Sequence, residues 1–346
     1  FEPQPLAPRP RPPIIPDRVK LGNPTAEVHI ADVYSGPGLK GVPRGVVKRL
    51  RVFSYHFGYN AKAGFPLVGT QAGWDMKRVL GTAKVEADGS ACFEIPANTP
   101  ISLQPLDDEG RAVQLMRSWL VGMPGEHVSC VGCHENRGDS LPLRVSLANQ
   151  RGPEPLQPWA GPPRPFAFAH EVYPVLQRYC IGCHNESPVV GPRSRPSFQN
   201  PGLAYDTLHP YVHRPGVESD MGLLTPMEYH ASTSVLIQML EKGHRRVKLA
   251  DLDRESRERL YCWIDLNVPK NGRWDPPAWQ GRDQRQRRLE LAKRFANVDA
   301  DPEGEHLAAE AAFQQRGPVA YQAPPLEPPV QPDGVEAAGF PLSAAE

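Results

Sequence analysis

Two short stretches of the same form decide how this chain is organised: Cys130–His134, which reads Cys-Val-Gly-Cys-His, and Cys180–His184, which reads Cys-Ile-Gly-Cys-His. Two cysteines separated by two residues form thioether bonds to the vinyl groups of a haem, and the histidine that follows binds the iron as an axial ligand. The sequence therefore predicts two covalently bound haem c groups. The expected thioether cysteines are Cys130, Cys133, Cys180 and Cys183, and the expected iron ligands are His134 and His184.

A zinc site built from the two cysteine pairs is the competing interpretation, because paired cysteines at this spacing also bind zinc. It leaves the histidine after each pair without a role, and a proline-rich stretch at 152–165 separates the pairs. Haem is therefore favoured. The remaining cysteines, Cys92 and Cys262, are interpreted as separate buried thiols, and a disulfide between them stays open.

The composition is that of a loop-rich globular chain with balanced charge. Of 346 residues, 41 are proline, and Lys+Arg and Asp+Glu number 39 each. This balance gives no indication of a nucleic-acid partner, and no apolar run approaches the ~20 residues of a membrane span. Because haem is attached outside the bacterial cytoplasm, we expect a periplasmic or extracellular protein whose signal peptide has been removed.

Strand-like runs fill the chain up to the first motif. They cover 26–33, 46–55, 82–85, 91–95, 101–105 and 112–119 and are bounded by turn residues. Asp88-Gly89 predicts a hairpin, because glycine takes the positive φ of a tight turn, and 107–110 predicts another turn. We therefore predict a β-sandwich-like domain over 25–150 that carries haem one.

The second motif lies in a part of the chain with helical patterns. Apolar spacing and capping residues predict helices over 170–179, 234–242, 253–266 and 284–295. We predict a helical cytochrome c-like domain over 166–298 that carries haem two, and an α+β fold class. Proline-rich composition predicts an extended arm at 1–24, a linker at 151–165 and an extended tail at 299–346.

For each haem iron, the motif supplies the first axial ligand but does not identify the second. His244 follows Gly243 at the predicted end of a helix, where a loop can deliver an imidazole to haem two. A surface histidine in a basic stretch is the alternative, and His209, His213 and His230 are weaker candidates.

For haem one the candidate is His56, which follows a strand of the β domain. His127, Met116 and Met123 are further candidates. A structural role is the alternative for each of these residues. An iron with one side open is also consistent with the sequence.

Several short segments in both halves of the chain resemble one protein family, that of the hydrazine synthase alpha subunit. Segments 88–90, 96–100, 106–107, 116–118, 124–126 and 129–135 resemble its middle haem domain. Segments 239–244, 247–249 and 263–269 resemble its C-terminal cytochrome domain. The resemblance spans about residues 26–301 and does not include the family's N-terminal β-propeller.

The resemblance implies a β domain with the first haem and a helical domain with a bis-histidine second haem, in which His244 matches the distal ligand. In hydrazine synthase the first haem is catalytic, and a tyrosine four residues after the motif histidine binds its iron. This chain has Gly138 at that position. A shared fold does not by itself transfer an activity.

Three functions follow as hypotheses. The first is electron transfer by a di-haem cytochrome within a larger complex or assembly. The second is a haem oxidoreductase in which the iron of haem one has an open coordination position. The sequence does not decide whether the chain is an enzyme. The third is a structural subunit whose proline-rich arms bind other redox proteins or copies of itself.

Overall fold

The computed structural model describes residues 13, 17–56, 76–135, 138–141, 144–186, 196–215, 222–245, 247–273 and 285–316. The strands in these residues are β1 (Thr25–Ile30), β2 (Arg49–Tyr55), β3 (Lys77–Lys84), β4 (Ala91–Pro96), β5 (Ile101–Leu106), β6 (His127–Cys130) and β7 (Arg164–Pro165). The α-helices are α1 (Leu147–Arg151), α2 (Phe168–Glu171), α3 (Tyr173–Tyr179), α4 (Pro201–Leu208), α5 (Val235–Lys242), α6 (Arg254–Asp265), α7 (Arg285–Ala296) and α8 (Pro302–Arg316). Short 3-10 helices cover Pro37–Leu39, His209–Tyr211, Ala231–Thr233 and Leu249–Asp251.

The strands form two sheets around a shared core, as expected of the predicted α+β class. One sheet has the order β4-β1-β6, and the other has the order β5-β2-β3-β7. The core between them takes Val28 and Phe93 from the first sheet and Leu50, Val52 and Leu103 from the second. Burying these apolar side chains from both sheets is what holds the two layers together. None of the described helices is long and apolar enough to cross a membrane.

The Asp88-Gly89 turn differs from the predicted hairpin. Gly89 has a φ of 84°, and the Glu86 amide donates to the Ser90 carbonyl, so the tight turn is present. However, β3 pairs with β2 and β7, whereas β4 pairs with β1. The turn is therefore an arch between the two sheets, because the strands that it joins bury their side chains in the shared core from opposite layers.

The strand predicted over 112–119 is wrong, and β6 was not predicted. Residues Ala112 and Leu120 make only single bridges to β5, because the intervening backbone and side chains have other partners. The Gln114 amide, for example, donates to the carbonyls of Gly38 and Leu224 at 2.8 Å each. The sixth strand lies instead at His127–Cys130, parallel to β1.

The proline-rich stretch predicted as a linker lies along the edges of both sheets. Gln157 exchanges backbone hydrogen bonds with Thr82 of β3, and Glu154 bridges to Phe93 of β4. Farther along, β7 pairs with Arg78 and Val79. This stretch therefore leads the chain across the sandwich to its helical part.

Helices α3, α5, α6 and α7 lie where the sequence predicts them. The Asp253 carboxylate accepts from the Ser256 amide at the start of α6, and Gly243 ends α5 with a φ of 92°. The short helices α1 and α4 were not predicted, although Ser146 and Asn200 cap them in the usual way.

The predicted extended tail is wrong over its first part, because Pro302–Arg316 forms helix α8. Asp301 caps this helix by accepting from the Gly304 amide at 3.0 Å, and the sequence after it is rich in the good helix formers alanine and glutamate. The rest of the tail, 317–346, and most of the N-terminal arm lie outside the described residues.

A buried layer of charged side chains joins the four-stranded sheet to α6. Arg51 of β2 donates to Asp265 and to Gln104 at 2.8 Å each, and both charged side chains are almost completely buried. Beside them, the Lys77 ammonium donates to the Leu266 carbonyl at 2.6 Å. Burial raises the pKa of the Asp265 carboxyl, and the Arg51 guanidinium opposes that rise.

Helix α8 docks through one buried histidine, His306, and packs against two half-buried ones, His56 and His170. The rings of His306 and His170 lie 5.0 Å apart, and His56 faces Glu303 at 3.4 Å. Burial lowers the pKa of His306 to about 4, and the neighbouring His170 and Arg273 act in the same direction. Burial likewise lowers the pKa of His56 to about 4, and the positive charges of Arg288 and Arg78 add to this effect. The carboxylates of Asp301 and Glu305 oppose it.

The charged layer gives a first prediction. Replacing Asp265 by Asn leaves the Arg51 charge buried without its counterion, and we expect a loss of about 3–5 kcal/mol in the free energy of unfolding. The double variant Arg51→Met/Asp265→Leu should cost less than Asp265→Asn alone. Urea unfolding followed by circular dichroism measures both. Arg178→Ala, which breaks an exposed ion pair with Asp253, is the control and should cost under ~1 kcal/mol. A double variant that costs as much as Asp265→Asn, or more, would contradict the prediction.

The buried histidines give a second prediction. The unfolded chain, in which histidine has a pKa of ~6.5, takes up protons more readily than the folded chain, so stability should fall as the pH drops from about 6.5 towards 4. Each such histidine contributes up to roughly 3 kcal/mol to this loss. His306→Gln should lose less stability between pH 7 and pH 4.5 than the natural chain in urea unfolding. The exposed His127→Gln should behave like the natural chain, and equal slopes for all three proteins would refute the assignment.

Candidate functional site

The first motif begins where β6 ends and continues its pairing with the chain that follows β1. Ile30 pairs with Cys130 in register, and the Ala31 amide donates to the Cys130 carbonyl at 2.9 Å. Beyond the strand, the Gly38 amide donates to the Cys133 carbonyl at 3.0 Å. The backbone of Cys130–His134 is therefore fixed by the loop at 31–38, which we call the motif-one loop.

Glycines allow the motif-one loop to approach the motif this closely. A Cβ on Gly38 would lie 2.5 Å from the Cys133 carbonyl oxygen and 2.7 Å from its Sγ. A Cβ on Gly132 would lie less than 3.0 Å from the Ser35 carbonyl oxygen, closer than real Cβ contacts. Both positions exclude any larger residue unless the loop moves. Sequence reasoning did not find this loop, although its Ser-Gly-Pro-Gly run at 35–38 was a usable signal.

The second motif follows α3 directly. The Cys180 amide donates to the Leu176 carbonyl at 2.8 Å, which caps the helix, and the His184 amide donates to the Cys180 carbonyl at 3.2 Å. Cys180 packs against the apolar core of the helices, whereas Cys183 is exposed. The ring of His184 stacks on Phe198 at 4.7 Å. The C-terminal end of α3 thus sets the direction of the His184 side chain.

His244 faces His184 across the second motif. The two ring centres are 5.9 Å apart, and the ring planes differ by 25°. His244 is held by a tight turn, in which its amide donates to the Val247 carbonyl at 2.8 Å and its carbonyl accepts from the Val247 amide at 3.1 Å. Gly243, in a positive-φ conformation that favours glycine, turns the chain from α5 into this position.

A hydrogen bond sets the tautomer of His184. Its Nδ1 lies 2.8 Å from the Pro196 carbonyl oxygen, which can only accept, so Nδ1 carries the proton. The lone pair is therefore on Nε2, as a metal ligand requires, and such a bond to a carbonyl also fixes the ring. Pro196 was not among the residues that the sequence singled out.

The residues of the second site fit a bis-histidine haem. Two imidazoles that bind one ion from opposite sides, each through a nitrogen about 2 Å from it, have ring centres about 6 Å apart. The observed 5.9 Å between His184 and His244 agrees with this spacing. Burial raises the pKa of the Cys180 thiol to about 11 and that of Cys133 equally far. Such apolar surroundings suit a neutral thioether better than a zinc-bound thiolate.

The weaker candidates for the second haem have other partners. His230 is buried and lies 3.2 Å from Asp107 through Nε2 and 2.7 Å from Ser232 through Nδ1. His213 faces Thr233 at 3.0 Å. His209 stacks beside Tyr205 with ring centres 5.3 Å apart. Of the four candidates, His244 is the one whose ring contact is with His184.

The strand register counts against His56 as a ligand of haem one. Ala91 and Cys130 both pair with Ile30, so the arch between the sheets and the first motif share one end of the sandwich. His56 follows the opposite end of β2, roughly 20 Å away along the strand at about 3.3 Å per residue. Its partners there belong to α7 and α8, and the physical reason for its burial is the docking of those helices.

The other candidates for haem one also have structural contacts. His127 is exposed and pairs with Glu27 at 2.8 Å. The Met116 sulfur accepts from the Leu103 amide at 3.5 Å, and Met123 is half exposed. These contacts, like those of His56, place none of the four side chains opposite His134.

The two cysteine pairs do not form one metal site. Cys130 and Cys133 pack against the core between the sheets, and Cys180 packs against the core of the helices. Within the described residues, no group of three or more His, Cys, Asp or Glu side chains is arranged to hold a metal ion. Cys92 and Cys262 are buried thiols that form no disulfide.

The motif glycines give a third prediction with a built-in control. Gly132→Ala should collide with the motif-one loop and lower the free energy of unfolding by about 1–3 kcal/mol. Gly182→Ala at the equivalent position of the second motif should cost under ~0.5 kcal/mol, because a Cβ there meets nothing within 4 Å. Urea unfolding followed by circular dichroism distinguishes the two, and equal costs would show that the close approach is not required.

Comparisons with known proteins agree with this architecture. The family model described as hydrazine synthase alpha subunit middle domain matches residues 45–135, which end just after the first motif. The fold is similar to a solved chain described as Kuenenia stuttgartiensis hydrazine synthase, with a TM-score of 0.53 and 17% sequence identity. That similarity covers 74% of this chain and 44% of the other, so this chain spans less than half of its length. A search of curated proteins gave no match. The predicted resemblance is thus confirmed for the middle domain over residues 45–135, and the fold is similar to that of hydrazine synthase.

Proposed function

We propose that this chain is a di-haem c-type cytochrome that transfers electrons outside the cytoplasm as part of a larger complex. The observation that carries the proposal is the facing pair of His184 and His244, with ring centres 5.9 Å apart beside Cys180 and Cys183. His184 and His244 would hold a bound haem from its two sides, and such a haem would supply one-electron redox chemistry without offering a position to a substrate.

The protein around this pair is suited to holding an iron in one geometry. The Pro196 carbonyl orients His184, and the turn at 244–247 orients His244 from the opposite side. Apolar groups, among them Tyr179, Val247 and Leu249, pack beside the site at the edge of the helical core. Fixed ligands and the apolar groups packed beside them are means by which a protein sets a haem potential.

Haem one supports a second candidate function, an oxidoreductase with an open iron. Among the described residues, three of the four sequence candidates for a second ligand contact other groups: His56 contacts α8, His127 contacts Glu27 and Met116 contacts the backbone of β5. Resemblance to hydrazine synthase adds weight to a reactive first haem. This chain has Gly138 where the family has its iron-binding tyrosine, so the resemblance does not extend N–N bond formation to this site.

The remaining parts of the proposal rest on the sequence. Haem attachment implies a periplasmic or extracellular location, and the hydrazine synthase resemblance implies partner subunits. The structural role through proline-rich arms, which would bind redox proteins or further copies, depends on residues largely outside the described ones.

Spectroscopy of the purified protein tests the proposal directly. We expect two haems per chain by pyridine haemochrome, a low-spin signal from haem two in EPR and no reaction of that haem with carbon monoxide. A second, high-spin haem that binds carbon monoxide would favour the oxidoreductase. Absence of covalent haem would refute both functions.

His244 gives the fourth prediction. His244→Ala removes one axial ligand, and we expect haem two to become high-spin and to bind carbon monoxide, with two haems still attached. His209→Ala, a histidine that does not face His184, is the matched control and should keep the natural spectrum. An unchanged low-spin signal in His244→Ala would show that another group binds the iron.

A further inference from the structure

Exposed cations surround His244. Lys242 ends α5, Arg245 lies in the tight turn, and Lys248 follows that turn; all three side chains are exposed. The Lys248 side chain runs beside Gly243, where a glycine Cβ would lie 3.4 Å from its Cγ. We call Lys242, Arg245 and Lys248 the basic rim.

The acidic residues nearby do not neutralise the basic rim. Between residues 241 and 251 the described residues carry three cations, those of the basic rim, and two acids, Glu241 and Asp251. One Asp251 oxygen is used in accepting from the Lys248 amide at 2.7 Å. On the other side of the site, Arg178 and Asp253 pair with each other at 2.7 Å. The surface next to His244 therefore keeps an excess of positive charge in a chain with a formal net charge of zero.

The second motif is open to solvent at its glycine and second cysteine, whereas a loop covers the same two positions of the first motif. Gly182 and Cys183 are exposed, and a Cβ on Gly182 would meet nothing within 4 Å. At the first motif, by contrast, the motif-one loop lies directly on Gly132 and Cys133. An electron carrier needs a redox group near the surface, and the exposed Gly182 and Cys183 place the second site there.

We propose that the basic rim is the docking surface for an acidic one-electron redox protein that exchanges electrons with haem two. This inference rests on the proposed function and adds the partner's chemistry to it. In each encounter one electron passes between ferrous haem two and the oxidised partner, with no bond formed and no proton transferred. Complementary charge raises the rate of such encounters and selects the partner.

Small charged oxidants test the sign of the local potential without a known partner. The fully reduced protein is mixed by stopped flow with ferricyanide, a trianion, or with tris(phenanthroline)cobalt(III), a trication. In Lys242→Glu/Arg245→Glu/Lys248→Glu, oxidation by ferricyanide at ~10 mM ionic strength should slow on the order of tenfold, and oxidation by the cobalt complex should accelerate. Both effects should shrink above ~0.5 M salt, where charges are screened.

A matched control separates local charge from net charge. Arg287→Glu/Lys293→Glu/Arg294→Glu makes the same change in net charge on α7 and should alter each rate by less than half as much. Equal effects of the two triple variants would overturn the inference. The glutamine versions of the rim residues, which remove charge without reversing it, should give a smaller change of the same sign.

Binding provides a readout that does not depend on electron transfer. A fluorescein-labelled polyglutamate peptide should bind the oxidised natural protein, and the rim variant should weaken that binding at least several-fold in fluorescence anisotropy. Haem content and the low-spin spectrum are measured on the same samples. If two low-spin haems are present and the rim variant binds the peptide as well as the natural protein, this inference fails while the proposed function stands. If covalent haem is missing, the result refutes the proposed function, and the inference that rests on it falls with it.

Discussion

The buried ion pair between Arg51 and Asp265 is the contact on which the rest of this structure depends. It joins the middle of the four-stranded sheet to the end of α6, and its neighbours complete it: the Gly110 carbonyl accepts from Arg51, and the Ala112 amide donates to Asp265. An isolated charge at this depth would be very unfavourable, so the two elements are stable only when they are together. The contact therefore fixes how the helical part lies on the sandwich.

As a result of this contact, both faces of β2 are buried. Leu50 and Val52 face the core between the sheets, while Arg51 faces α6. A strand with one solvated face would alternate apolar and polar residues, but here the polar face is buried as well. The chain that leaves α6 then turns sharply, and the Leu266 carbonyl in that turn accepts from Lys77 of β3. Sheet and helices thus behave as one packed unit around a polar layer.

The two motifs have different surroundings, and this difference organises the proposed function. The first is an extension of a sheet edge, held by backbone hydrogen bonds and by close approach of glycines at 31–38. The second is held by side chains, with His184 and His244 facing each other and the cysteines partly open to solvent. The second site, with its two facing histidines, suits the proposed electron exchange. The hydrazine synthase alpha-like fold provides both environments in one chain.

The sequence alone determined the elements whose causes are local. Spacing within Cys130–His134 and Cys180–His184 is a chemical requirement of adjacent residues, and the caps at Asp253 and Gly243 act within one helical turn, so each could be predicted. The facing of His184 and His244 was anticipated from the resemblance and from the loop after α5. The arch at Asp88-Gly89, the placement of His56 and the docking of α8 were decided only by tertiary structure. In each case the same local signal is compatible with several partners, and the burial of distant side chains selects one of them.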